Sequence, residues 1–245
     1  MALSPVETER LIELLFWTTL AGACIPAGAG LARLRRIGPA WLEEEFRHFV
    51  IAFGGGVLLG AVALVLVPEG VDRVSSPLAV VAALLAGGAA FMALDRRQAK
   101  RRRAAPQFIA MGADYLPESL ALGGVFAVGA DGAILLAILI GLQNLPESFN
   151  AWRELASQRV PASTAFTRFL LLALLGPVFG LMGWFWLAGH EAVLGATLLF
   201  AAGGILYLTF QDIAPQAKLE KHWAPPLGAV LGFALALIGE RLIPV

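Results

Sequence analysis

Two short polar stretches interrupt long apolar segments of the sequence, and they repeat each other. One reads Asp114-Tyr115-Leu116-Pro117-Glu118-Ser119 and the other reads Gln143-Asn144-Leu145-Pro146-Glu147-Ser148, so LPES occurs twice, 29 residues apart. Residues three or four apart share one face of an α-helix, and each stretch would therefore present a column of oxygen atoms. The columns comprise Asp114 and Glu118 in the first stretch and Gln143, Asn144 and Glu147 in the second. Carboxylate and amide oxygens at this spacing are candidate ligands for a divalent cation.

The composition of the chain places these residues in a membrane. The chain has 245 residues, of which 58% are hydrophobic and 15% charged, and its mean hydropathy is +0.76. Its 18 basic and 18 acidic residues cancel, which argues against a nucleic-acid binder, an acidic disordered protein or an ordinary soluble domain. The single cysteine, Cys24, excludes a disulfide framework and a cysteine-built metal site.

The spacing of the charges predicts an all-α fold of eight transmembrane helices. Four uncharged gaps are 19 to 21 residues long, and about 20 residues span a hydrocarbon core of roughly 30 Å. Such lengths exclude the short alternating strands of a membrane barrel. The predicted helices lie at about 10–32, 47–70, 76–95, 107–129, 132–152, 167–188, 191–214 and 224–243. The connecting segments are too short for a second domain, so residues 1–245 are expected to form one transmembrane domain.

The basic residues predict the orientation of the helices. Fifteen of the 18 lie in the segments that follow the first, third, fifth and seventh predicted helices, whereas Arg10, Arg73 and Arg241 lie on the other side. Because cytoplasmic loops carry the excess of Lys and Arg, both termini are expected to face away from the cytoplasm. The protein is therefore predicted to be an integral protein of the cell membrane, specifically a bacterial inner membrane.

Within the membrane, the polar stretches have few structural explanations. An ionisable side chain at membrane depth costs at least about 2.5 kcal/mol, which favours a functional role over simple hydrogen bonding between helices. Pro117 and Pro146 each lack an N–H, and we expect them to break their helices and free the carbonyls of Ala113 and Leu142 as further ligands. A divalent cation would offset the repulsion among the three acids; without one, some of them are expected to carry a proton.

The paired stretches resemble the metal-binding helices of the Zrt/Irt-like (ZIP) family of divalent metal transporters. In that family the fourth helix carries His-Asn-x-Pro-Glu-Gly, and the fifth carries a similar Pro-Glu-Gly motif led by His or Gln. The resemblance extends to Leu66-Val67-Pro68-Glu69-Gly70 at the end of helix 2 and to Asp95 at the end of helix 3. It also covers Ala201-Ala202-Gly203-Gly204 and Gln211-Asp212-Ile213-Ala214-Pro215 in helix 7.

The resemblance implies a fold, a site and a partner. It implies a metal site lined by Asp114, Glu118, Gln143, Asn144 and Glu147. Glu69, Asp95, Gln211 and Asp212 are the residues that it assigns to the transport pathway or its inner exit. It further implies a 3+2+3 inverted repeat, with helices 1 to 3 related to helices 6 to 8 around helices 4 and 5, and a homodimer.

The chain departs from the family pattern at three positions. Asp114 replaces the usual histidine of helix 4, Tyr115 replaces the neighbouring asparagine, and Gly176 precedes Pro177 where many bacterial members have a bridging glutamate. These changes favour one metal ion over two. The loss of imidazole also makes the ligand set harder, which suits Mn, Fe(II) or Mg better than a histidine site would.

The resulting hypothesis is a transporter that moves a divalent cation toward the cytoplasm, with zinc as the first candidate, through a site on helices 4 and 5. Iron, manganese and cadmium are the alternatives, and no organic cofactor, enzymatic activity or nucleic-acid partner is expected. The first alternative function is a ZIP-like protein that no longer transports and serves as a metal-sensing or structural subunit. The second is a proton or anion pathway without metal. Gly54-Gly55-Gly56 and Gly203-Gly204 are predicted to allow close helix packing.

Overall fold

The computed structural model describes residues 4–33, 40–101, 106–218 and 223–243, and within these ranges all regular structure is helical. The described residues form eight long helices, two of which contain a π turn. They are α1 (Pro5–Leu31), α2 (Ala40–Ala61, a π turn at Val62–Leu66, then Val67–Arg73), α3 (Pro77–Arg101), α4 (Pro106–Val128), α5 (Ala133–Ser157), α6 (Ala162–Leu187), α7 (Glu191–Leu208, a π turn at Thr209–Ile213, then Ala214–Ala217) and α8 (Leu227–Leu242).

Several helices extend beyond the predicted boundaries because their charged ends continue the helix. The first helix begins at Pro5 instead of residue 10, since Ser4 caps it in a capping box with Glu7. The fifth continues to Ser157, past the predicted end at residue 152. A prediction based on uncharged gaps finds the apolar centre of a helix and misses the polar turns at its ends.

Six of the described helices are long and apolar enough to cross a membrane: α1, α2, α3, α5, α6 and α7. Large side chains on their outer faces are exposed, among them Leu78 at 79% and Phe185 at 69%. The chain therefore forms a helical, membrane-embedded protein. Of the other two helices, α4 contains Asp114 and Glu118, which lower its hydropathy, and α8 has only 16 residues.

The packing of the helices places α4 and α5 side by side in the centre. The fourth helix packs on α6 and α7, while the fifth packs on α1 and α2. The remaining large contacts join α2 to α8, α3 to α7, α1 to α6 and α2 to α7. Exchanging α1, α2 and α3 with α6, α7 and α8, and α4 with α5, leaves this pattern of contacts unchanged.

Glycines let these helix pairs approach closely. A Cβ on Gly56 would overlap the backbone of Ala229 in α8, and one on Gly203 would overlap the carbonyl of Leu84 in α3. The fourth and sixth helices meet in the same way, at Gly183 against Leu120. The predicted packing role of the two glycine groups in α2 and α7 is confirmed.

The two π turns occupy equivalent positions, and each ends two residues before a proline. The Val67 N–H bonds to the Val62 carbonyl and Pro68 follows, while the Ala214 N–H bonds to the Thr209 carbonyl and Pro215 follows. Each bond spans five residues instead of four, so one additional residue enters the turn. The prediction that Pro117 and Pro146 break their helices is wrong, because α4 and α5 both continue through the proline.

Candidate functional site

The facing sides of α4 and α5 bring the five predicted ligands into the protein interior. Glu118, Gln143 and Asn144 are fully buried, and Asp114 is only 4% exposed. Glu147 is partly exposed as a residue, but both of its carboxylate oxygens are buried. At about 1.5 Å per residue, Glu118 lies roughly 18 Å along α4 and Gln143 roughly 15 Å along α5, near the middle of each helix.

A bidentate hydrogen bond joins the two helices at the site. The Gln143 side-chain amide donates to Glu118 Oε1 at 2.9 Å and to Glu118 Oε2 at 2.7 Å. This interaction holds the two central helices together and satisfies an acceptor position on each Glu118 oxygen. Both carboxylate oxygens of Glu118 therefore have a hydrogen-bond donor within the protein.

A second amide anchors the site to α1. Asn144 Nδ2 donates to the carbonyl of Ala21 at 3.0 Å. The Ser148 hydroxyl, one turn further along α5, donates to the Asn144 carbonyl at 2.6 Å. The amide nitrogen is thus directed at α1, which leaves the side-chain oxygen of Asn144 for another partner.

Four buried oxygens of the site have no hydrogen-bond partner. They are Gln143 Oε1, Asn144 Oδ1 and both carboxylate oxygens of Glu147. A buried polar atom without a partner costs about 1–3 kcal/mol, and an unpaired charge costs more. All four atoms are acceptors, so a bound cation would satisfy them, whereas a proton could bind only at the Glu147 carboxylate.

The acids alone do not form a closed metal site. In the described ranges, no group of three or more His, Cys, Asp or Glu side chains is arranged to hold a metal ion. The amide oxygens of Gln143 and Asn144 are the further buried acceptors that lie beside the carboxylates. Each Glu118 oxygen accepts one bond from Gln143 and keeps a second lone pair, which a metal ion could use.

A cavity leads from the site to one end of the bundle, the end where α4 begins and α5 ends, called here the basal end. It has a volume of about 180 Å³ and is lined by Asp114 and Glu147 near the site and by Glu154, Asp212 and Gln216 nearer the basal end. Glu118, Gln143 and Asn144 lie behind the first two residues and do not line it. Of the five predicted ligands, Asp114 and Glu147 are therefore the two that face this cavity.

The four predicted pathway residues lie in three different places. Asp212 lines the cavity, and it also lines an adjoining cavity of about 40 Å³ together with Asp95, which accepts a hydrogen bond from Tyr207 at 3.0 Å. Gln211 is exposed and lines a separate groove between α3 and α7. Glu69 pairs with Arg73 near Gly132, at the end of the bundle opposite the basal end.

Tyr115 fills a space between three helices next to the site. Its ring is buried, and its hydroxyl donates to the Ala173 carbonyl of α6 at 3.3 Å. A Cβ on Gly22 of α1 would lie 2.8 Å from this hydroxyl, and one on Gly176 of α6 would overlap it. Tyr115 and Gly176 are therefore in direct contact. They are two of the three positions at which the chain departs from the pattern of the ZIP family.

The sequence prediction missed the polar residues that line the cavity below the site. Gln107, Asn150, Glu154 and Gln216 all contribute to it. A sequence signal for these residues was present, because Gln143, Glu147, Asn150 and Glu154 follow one another at intervals of three or four residues and share one face of α5.

No protein-family model matches the chain, and a search of curated proteins found no match.

Proposed function

We propose that this protein transports a divalent cation across the membrane through the site on α4 and α5. The observation that carries the proposal is the set of four buried oxygen acceptors without partners, next to a cavity that reaches one end of the bundle. A purely structural polar cluster would pair its acceptors with donors. A permeating cation offers a reason to leave them unpaired, because it would bind there and then leave.

The ligand set points to the class of cation. Oxygen ligands from carboxylates and amides, without imidazole or thiolate, suit hard or borderline divalent ions such as Mn²⁺, Fe²⁺ and Mg²⁺, and they accept Zn²⁺ and Cd²⁺. Zinc remains the first candidate because of the resemblance to the ZIP family. Tyr115 fills the space beside the site, and this favours one bound ion over two.

The arrangement of the helices supports the rest of the proposal. The exchange symmetry of the contacts is what a 3+2+3 inverted repeat would produce, and such repeats commonly surround the site of a transporter. In this proposal all eight helices cross a bacterial inner membrane, both termini face away from the cytoplasm, and the basal end opens to the cytoplasm. The homodimer implied by the family resemblance is part of the same proposal.

Uptake of metal by proteoliposomes tests the proposal directly. The wild type is compared with Glu118→Ala and Glu147→Ala, and Glu191→Ala serves as control because Glu191 is an exposed residue in the first turn of α7. We expect saturable uptake of one or more of Zn²⁺, Mn²⁺, Fe²⁺ and Cd²⁺ by the wild type and the control, and a loss of at least tenfold in the two site variants. Equal uptake by all four proteins would refute transport through this site.

A metal-sensing or structural protein without transport is the second candidate. The observation that favours it is the contact of Tyr115 with Gly176, which ties α4 to α6 at the depth of the site and would oppose movement between them. Isothermal titration together with the uptake assay separates the two. Binding that depends on Glu147, without uptake, would favour the sensor.

A further inference from the structure

An apolar groove lies between α3 and α7 on the outside of the bundle. Its volume is about 610 Å³. Leu85 of α3 and Phe210 of α7 both line it, and they are 65% and 72% exposed. Ala89, Met92 and Leu206 line it as well. The groove, called here the α3–α7 groove, is therefore open to the surroundings of the protein.

Glycines at the contact of the two helices leave the space that forms the groove. A Cβ on Gly87 of α3 would overlap the Phe200 carbonyl of α7, so the two backbones touch there. The next residue, Gly88, lines the groove, and the one atom within 4 Å of a Cβ at this position is the Gly203 carbonyl oxygen, at 3.4 Å. Because neither helix places a side chain at this point, the space in front of the contact stays open.

No other part of the described chain covers the groove, and its length suits a lipid. The only large contact of α3 is with α7, and 11% of the residues in its most apolar stretch are buried. The lining residues of α3 run from Leu84 to Met92, which is roughly 12 Å along the helix. One leaflet contributes roughly 15 Å of hydrocarbon, half of the membrane core. An acyl chain of one leaflet matches this length, whereas a transmembrane helix of a partner would cover α3 from end to end.

Basic residues continue the α3 side of the groove at the basal end. Arg96 follows Met92 by four residues and Lys100 follows Arg96 by four, so both lie on the face that lines the groove. Both are exposed, and they come directly after the uncharged segment of α3, at the level expected for lipid headgroups. The neighbouring acid, Asp95, lines the cavity of about 40 Å³ inside the bundle and accepts a hydrogen bond from Tyr207. The basal end of the groove is therefore positively charged.

We propose that the α3–α7 groove binds an anionic phospholipid, with one acyl chain in the groove and the phosphate beside Arg96 and Lys100. The stems of Arg and Lys can follow apolar surface while their charged groups reach the headgroups. Gln211, exposed at the basal end of the groove, adds an amide that can donate to phosphate or ester oxygens. Two positive charges favour an anionic lipid over a zwitterionic lipid with the same chains. The proposal does not depend on cation transport.

Native mass spectrometry of the purified full-length protein, released from an uncharged detergent, measures the binding. The two probes are phosphatidylglycerol, which is anionic, and phosphatidylcholine with the same acyl chains, which has no net charge. The charge variants are the double substitution Arg96→Gln, Lys100→Gln and the charge-conserving Arg96→Lys. Arg168→Gln is the matched control, because Arg168 is an exposed arginine near the beginning of α6, also at the basal end.

A second pair of variants tests the apolar part of the groove. Ala89→Trp places a large side chain in the groove, since Ala89 is exposed and lines it. Ala90→Trp is its control, because Ala90 is equally exposed on α3 and does not line the groove. Both substitutions add the same apolar side chain to the same helix, so a difference between them reports the groove itself.

We expect the wild type, Arg96→Lys and Arg168→Gln to bind phosphatidylglycerol at least fivefold more tightly than phosphatidylcholine. The double charge variant should bind both lipids equally, with the affinity that the wild type has for phosphatidylcholine. Ala89→Trp should bind both lipids at least fivefold more weakly than the wild type, whereas Ala90→Trp should match the wild type.

Three results would overturn the proposal: equal affinity of the wild type for the two lipids, an unchanged preference in the double charge variant, or unchanged binding in Ala89→Trp. The same spectra report the oligomeric state. A dimer that Ala89→Trp converts to monomers, with lipid binding unchanged, would assign the groove to a second copy of the chain and would also overturn the proposal.

Discussion

The hydroxyl oxygen of Tyr115 occupies the space where a side chain at Gly176 would begin, so these residues of α4 and α6 are complementary in size. The same hydroxyl donates to the Ala173 carbonyl, three residues earlier on α6. Thr18 of α1 also bounds this space, with its carbonyl 3.4 Å from the position of a Cβ on Gly176. A large residue on one helix thus requires the absence of a side chain on the other.

This complementarity predicts a destabilising effect of Gly176→Ala. The added methyl group would overlap the phenol, and overpacking of this kind typically costs about 1–3 kcal/mol. The measurement is unfolding in mixed detergent micelles, with Gly30→Ala as control because nothing lies within 4 Å of a Cβ there. The double variant Gly176→Ala, Tyr115→Leu should recover most of the loss. Equal stability of Gly176→Ala and the wild type would contradict the packing described here.

The bond between Gln143 and Glu118 predicts a non-additive pair of substitutions. Gln143→Leu removes the donor to both Glu118 oxygens and leaves a buried carboxyl group without a partner, which should lower the free energy of unfolding by about 1–3 kcal/mol. The double variant Gln143→Leu, Glu118→Leu should be more stable than Gln143→Leu alone, because both partners are then apolar. A double-mutant cycle on the same unfolding assay measures the coupling, and simple additivity would argue against the hydrogen bond.

The same substitution should have opposite effects at Glu147 and Glu118. Glu147→Gln removes a charge from two buried oxygens without partners, so the metal-free protein should unfold at an equal or higher temperature while its affinity for a divalent cation falls. Glu118→Gln instead turns an N–H toward the donating amide of Gln143, and its unfolding temperature should fall. Thermal unfolding in EDTA, followed by calorimetric titration with Mn²⁺ and Zn²⁺, checks both effects. A stability loss in Glu147→Gln would mean that its oxygens have partners.

Accessibility of introduced cysteines tests the direction of the cavity. In a Cys24→Ser background, Asn150→Cys places a thiol in the wall of the cavity, and Asp72→Cys places one on an exposed residue at the opposite end of the bundle. A membrane-impermeant thiol reagent applied to sealed vesicles of known orientation should label Asn150→Cys from the cytoplasmic side only and Asp72→Cys from the other side only. Labelling of both from one side would rule out the proposed path of the chain through the membrane.

The sequence predicted the helices well because charge is expensive in a membrane. Long uncharged gaps therefore mark spans directly, whereas the polar turns at either end follow ordinary capping rules and were underestimated, as at Ser4 and Ser157. Burial of Asp114 and Glu118 could be predicted from their position in an apolar segment. The hydrogen-bond partners at the site could not, because the Gln143 amide meets Glu118, and the Asn144 amide meets the Ala21 carbonyl, through the relative rotation of α1, α4 and α5.

The prolines illustrate the limit of a local rule. The rule that proline disrupts a helix applies to each of four prolines that lie in or beside polar stretches of the helices: Pro68, Pro117, Pro146 and Pro215. In α4 and α5 the helix continues through the proline, whereas in α2 and α7 the chain forms a π turn before the proline. The presence of a proline therefore does not predict which of the two outcomes occurs.

The π turn of α2 is equivalent to a one-residue insertion in an otherwise regular helix. Without that residue, the ring of Pro68 would crowd the carbonyl four residues earlier and bend the helix. An insertion or deletion elsewhere in α2 would rotate one half against the other by about 100°. Either Gly56 would then turn away from α8 or Glu69 away from Gly132. A change of chain length is therefore best tolerated within Val62–Leu66. Even there it requires a change at Pro68. The additional residue and the proline would have to be gained or lost as a pair.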